Sequence, residues 1–84
     1  MKTPIRVGRA ILAFDKATGT LVEKTPITLT LEQLKPLFNP FPDDPLMYFV
    51  YDIDARQAAQ LTELDGTLTL ALDQYDYQLD CHQL

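Results

Sequence analysis

Two apolar series near the end of the chain alternate with a period of two residues, but they are out of phase by one. Leu68, Leu70 and Leu72 form the first, in "TLTLALD" (67–73); Tyr75, Tyr77, Leu79 and Cys81 form the second, in "QYDYQLDCH" (74–82). Successive side chains of a strand point to opposite faces, so a slip of one residue turns every side chain over. The "LDQY" junction therefore has to be a tight turn or a bulge, and a turn makes a hairpin of the two segments. With the core behind the tyrosines, Gln74, Asp76, Gln78, Asp80 and His82 all face away from it. Asp76 and Asp80 then stand about 13 Å apart at the usual rise per strand residue, too far to share a proton or a metal ion.

Upstream, "IRVGRAILAF" (5–14) and "LVEKTPITL" (21–29) read as a hairpin around the turn "DKATGT", where Gly19 is free to take positive φ. Pro26 marks the returning strand as an edge or a bulge. "TLEQLKPLF" (30–38) opens with a capping box of Thr30 and Gln33, and Leu31, Leu34, Leu37 and Phe38 share one stripe. Pro36 keeps this helix short. "NPFPDDP" (39–45) is a stiff loop that should present Asp43 and Asp44 in a fixed posture. "LMYFVYDI" (46–53), apolar on both faces, predicts a central strand with Met47, Phe49, Tyr51 and Ile53 on one side and Tyr48, Val50 and Asp52 on the other.

"DARQAAQLTELDG" (54–66) predicts the second helix. Asp54 and Gln57 form its capping box, Ala58, Leu61 and Leu64 its buried stripe, and Gly66 fits a left-handed C′ position. The expected architecture is one domain, 1–84, of α+β class. Two short helices lie on one face of a largely antiparallel sheet of four to five strands, in the order ββαβαβ(β).

Charge is unevenly distributed. Residues 1–42 hold six basic and three acidic groups, a balance of +3; residues 43–84 hold nine acids and only Arg56, a balance of −8. So acidic a half repels nucleic acid and anionic membrane and attracts a cationic surface. No apolar run approaches the ~20 residues needed to cross a bilayer. The N-terminal apolar stretch is shorter than a secretory signal requires, and Cys81 is the only cysteine. A cytoplasmic protein is expected.

Catalytic sets are sparse. The chain has no serine and one histidine, His82, whose side chain should point away from that of its neighbour Cys81 on a strand. It lacks an EF-hand loop, a Cys-x-x-Cys or His-x-x-x-His pair and a glycine-rich phosphate loop. No catalytic residue, metal ligand or cofactor is expected. What remains is a binding surface, with Asp43, Asp44, Asp52, Asp73, Asp76 and Asp80 as the charged contacts and Tyr48 as an aromatic anchor.

The stretches "AFDKATGTL", "YDIDARQAAQLTEL" and "LALDQYDYQLDC" resemble the small acidic immunity proteins of the cloacin and ribonuclease-colicin type. More loosely, the chain is similar to the immunity partners of contact-dependent growth-inhibition systems. The resemblance implies a non-enzymatic inhibitor that binds the basic C-terminal domain of a cognate toxin, a nuclease, through an acidic sheet face. It places Asp52, Asp76 and Asp80 at that interface. The alternative is a small adaptor of β-grasp-like plan or an oligomeric scaffold; the oligomeric state, monomer or homodimer, stays open.

Overall fold

The computed structural model describes residues 7–83. Four strands form one antiparallel sheet: β1 (Val7–Asp15), β2 (Leu21–Ile27), β3 (Tyr51–Ile53) and β4 (Tyr75–Gln83), in the order β2-β1-β4-β3. The helices are α1 (Leu31–Phe38) and α2 (Ala55–Leu64). The fold is α+β, as the element pattern predicts; residues 5 and 6 of the expected first strand lie outside the described residues.

The β1–β2 hairpin closes as its turn residues dictate. The Asp15 carboxylate accepts the N–H groups of Ala17 and Thr18, and Gly19 takes φ +71°. The register skips Val22 opposite Ala13 and Phe14, which makes a bulge, and β2 is an outer strand, where Pro26 is tolerated. Both capping boxes form: Thr30 with Gln33, and Asp54 with Gln57. The two helices are tied end to end by Gln57 Nε2, which donates to the Leu37 carbonyl at 3.1 Å.

Strand parity divides the sheet. Ile11, Ala13, Ile27, Tyr51, Ile53, Tyr77 and Leu79 face the helices and are buried with Leu34, Phe38, Ala58 and Leu61. Gly8, Ala10, Leu12 and Phe14 of β1 face the other way, with Asp76, Gln78, Asp80 and His82 opposite them on β4.

Three expectations are corrected. Residues 46–53 form neither a long nor a central strand: β3 is three residues at the sheet's edge. Met47 takes a left-handed φ of 55°, and the Asp44 carboxylate captures the N–H groups of Tyr48 and Phe49, so these amides cannot enter a ladder. That break also throws Phe49 out to the surface. Residues 67–73 are not a strand, because both edges of β4 are already occupied by β1 and β3. The segment instead lies on the core face, with Leu68 buried and Leu70 and Leu72 packed beside it, and the turn at 72–74 supplies the expected change of phase.

The third correction concerns the end of α2. Gly66 is not left-handed; the C-cap is Asp65, in an extended conformation. Its carboxylate accepts from the Thr67 amide and hydroxyl, which hold the turn closed and keep the carboxyl below its ordinary pKa. Leu64, at the last position of the helix, is exposed rather than part of the buried stripe.

Candidate functional site

The sheet face opposite the helices gathers three of the predicted acids. Asp76 and Asp80 sit two pleats apart on β4, and Asp52 sits across from Gln78 on β3. Gln78 Nε2 donates to Asp52 Oδ1 at 3.2 Å, which fixes the orientation of that carboxylate. Half-buried Leu12 and Phe14 lie beside them on β1, so the face is a patchwork of aspartate and apolar side chains, and no described helix packs on it.

Two of these acids meet lysines of the same molecule. Lys16 Nζ stands 2.8 Å from Asp76 Oδ1, and Lys24 Nζ stands 3.8 Å from Asp80 Oδ2. The Asp80 carboxylate also lies 3.2 Å from His82 Nδ1. The division of charge by half-chain did not anticipate this, because β1 and β2 of the basic half are interleaved with β4 of the acidic half. Register places Lys24 across from Leu12 on one side, with Gln78 across from Leu12 on the other. Asp52 alone of the three has no lysine or arginine in an ion pair among the described residues.

Asp43 and Asp44 diverge despite being adjacent. Asp43 is exposed, whereas Asp44 is 3% exposed and committed to the fold. Its Oδ1 accepts the Tyr48 N–H at 2.7 Å; its Oδ2 accepts the Phe49 N–H at 3.0 Å and the Tyr51 hydroxyl at 2.6 Å. Burial pushes the Asp44 pKa up, but these three hydrogen bonds, helped by the charge of Arg9, prevail and hold it below the ordinary value. The same site pushes Tyr51 up, through burial first and then its bond to Asp44. Asp44 is therefore corrected from a displayed contact to an internal anchor. Asp73 is exposed in the 72–74 turn, away from the rows of the sheet, and Tyr48 is exposed as expected.

Arg9 was missed as a structural residue. It is 8% exposed, and its Nη1 and Nη2 donate to the carbonyls of Met47 and Leu46 at 2.7 and 2.9 Å. The signal was present: Arg9 shares the parity of Ile11 and Ala13, and an arginine on a core face has to find acceptors. Cys81 is half-buried, and burial pushes its thiol up, away from the reactive thiolate. Its ring neighbour His82 lies on the other face of β4, as alternation requires.

The model of a family described as a domain of unknown function, DUF7683, matches residues 8–80. The chain belongs to that family. The DUF7683 match runs from Gly8 in β1 to Asp80 in β4, so it takes in most of β1 and β4, all of β2 and β3, both helices and the Arg9 and Asp44 loop anchors. No curated protein and no solved structure matches the chain.

Proposed function

We propose that this DUF7683 domain is a non-catalytic binding protein that docks a cationic protein surface on its open sheet face. Within that reading it acts as a cytoplasmic immunity protein whose partner is a basic toxin domain, a nuclease. The observation that carries the reading is the convergence of Asp52, Asp76 and Asp80 on one face that no described helix covers, with Leu12 and Phe14 available as apolar contacts.

Lys16 and Lys24 do not close that face. The Lys16–Asp76 pair is solvent-exposed on both sides, and exposed pairs contribute about 0–1 kcal/mol. Asp80 is the less accessible acid, its side chain 20% exposed beside Lys24 and His82, and the 3.8 Å contact to Lys24 is the looser of the two lysine pairs. A partner's arginine, with its planar fork, can replace a lysine at a carboxylate and bind it at two points. The lysines also discriminate, since a partner must bring enough positive charge to displace them. Inhibition follows from occupying a cleft that otherwise holds RNA or DNA phosphates. The charges set encounter rate and selectivity, while Tyr48 and the apolar side chains supply desolvated contact area. Asp43 and Asp73 contribute from the periphery.

The test is co-expression with the product of the neighbouring reading frame, followed by affinity capture across a salt series and a growth assay. The reading predicts capture of a basic domain that weakens with salt, and relief of its toxicity. Failure to capture such a domain at low salt, or capture without protection, would overturn it.

A further inference from the structure

The sheet has two outer strands, and they are not equally available. β2 carries Pro26, which has no N–H to donate to an added strand. β3 pairs with β4 on one side only, and among the described residues no main-chain hydrogen bond joins Tyr51, Asp52 or Ile53 to any other element.

The chain leading into β3 is unusually apolar for a surface. Phe41, Leu46, Tyr48, Phe49 and Val50 are each between 45 and 51% exposed, all within residues 41–50, and the rings of Phe41 and Phe49 lie 6.3 Å apart. Native edges are ordinarily guarded by short length, charge, proline or a bulge. β3 is only three residues and Pro42 and Pro45 lie in its approach, but Tyr51–Ile53 itself carries no proline, lysine or bulge. Here no lysine or arginine occurs between Lys35 and Arg56, and the exposed charges of that stretch are Asp43, Asp52 and the helix cap Asp54. An apolar strip with acidic flanks and a free strand edge is complementary to an extended segment that is both apolar and basic.

We infer that the free edge of β3 receives such a segment of the cationic partner as a fifth strand, with basic side chains over Asp52 and apolar ones beside Phe49 and Val50. This rests on the cationic-partner reading and assigns the element of the partner that docks. Alternation explains why both residue types are needed, since neighbouring side chains of an added strand fall on opposite faces of the sheet. A second copy of this chain fits poorly. It brings another net charge of −5, and antiparallel pairing centred on β3 sets Asp52 opposite its own counterpart.

The test uses the full chain labelled with ¹⁵N and, as probe, a synthetic eight-residue peptide of alternating lysine and valine. Expected are saturable binding, slowed amide exchange at Tyr51–Ile53, and loss of both with a control peptide methylated at every main-chain nitrogen but carrying the same charge. Asp52→Lys, at an exposed position, should weaken binding about tenfold or more. Peptide binding that perturbs Gln78, Asp80 and His82 while leaving β3 exchange unchanged would overturn the fifth-strand inference and leave the acidic-face reading standing. Absence of peptide binding, or equal binding of the methylated control, would also overturn the inference. So would a doubled mass by light scattering without peptide, which would assign the edge to a second copy.

Discussion

Arg9 and Asp44 grip the same loop from its two kinds of main-chain group and make no ion pair with each other. Arg9 holds the carbonyls of Leu46 and Met47, and Asp44 holds the amides of Tyr48 and Phe49. Four successive residues are thereby fixed by two buried side chains of opposite charge, one from β1 and one from the loop itself. The Tyr51 hydroxyl locks the arrangement to β3: it donates to Asp44 and accepts from the Phe41 N–H at 3.3 Å. The ring of Tyr51 also stacks on Phe41 at 5.1 Å. The exposed apolar strip of residues 41–50 is thus held in place from beneath by a polar network.

Removing Asp44 should be costly. Asp44→Ala leaves two amides and a buried hydroxyl without their acceptor, and each orphaned group costs about 1–3 kcal/mol. The expected loss is about 3 kcal/mol or more, read from the urea midpoint. The neighbouring Asp43→Ala, at an exposed position, should stay within about 0.5 kcal/mol of the parent. Equal effects of the two substitutions would contradict the assigned roles.

The same residue predicts an acid limb in stability. Because the folded protein holds Asp44 below its ordinary 3.8, folding favours the ionised form. That contribution is complete above the ordinary value and is lost as pH falls toward the folded one. Urea midpoints measured across acid pH should decline less steeply in Asp44→Asn than in the parent. A remnant should persist, because Asp65 is also held low by Thr67. Tyr51 carries the opposite sign: its pKa is raised above 10.0, so stability should fall as pH rises beyond that value.

The two capping boxes should differ in worth. Thr30→Ala and Asp54→Ala should each cost about 1 kcal/mol, the usual value for a lost cap. Gln57→Ala should cost more than Gln33→Ala, since Gln57 alone also donates across to the Leu37 carbonyl and joins the two helices. Thermal melts of the four variants check the ordering.

Lys16 and Lys24 should matter more for binding than for folding. Replacing both by alanine should lower stability by no more than about 1 kcal/mol per pair. The same double variant should tighten binding of hexalysine, measured by calorimetry at low salt, because Asp76 and Asp80 lose their internal competitors. Unchanged hexalysine binding would indicate that those carboxylates are not part of the cation-binding surface.

Local chemistry was the most legible part of this sequence. The capping boxes at Thr30 and Asp54, the Gly19 turn and the parity of Tyr77 and Leu79 follow from spacing, because each depends only on residues a few positions apart. What escaped depends on partners far along the chain. The leucines of 67–73 alternate like a strand, yet whether they pair is decided by β1 and β3 having filled both edges of β4. The loop aspartates look equivalent until Tyr51 claims one of them. The charge of residues 43–84 reads as a block of −8 only until the register brings Lys16 to Asp76 and Lys24 to Asp80. The open face with Asp76 and Asp80 on it was readable from the phase change alone; the lysines that accompany them were not.

On the proposed function, a cationic partner engages the carboxylates of the open sheet face. The most direct measurement is the affinity of the proposed basic partner domain, as captured by co-expression, for the parent and for the Asp52→Asn, Asp76→Asn, Asp80→Asn triple variant, over a range of salt. All three positions lie on one face and at least partly in solvent, so the fold should survive. The variant should form a complex at least about tenfold weaker at low salt, with a much flatter salt dependence. Identical affinities and identical salt dependence in the two proteins would contradict that engagement.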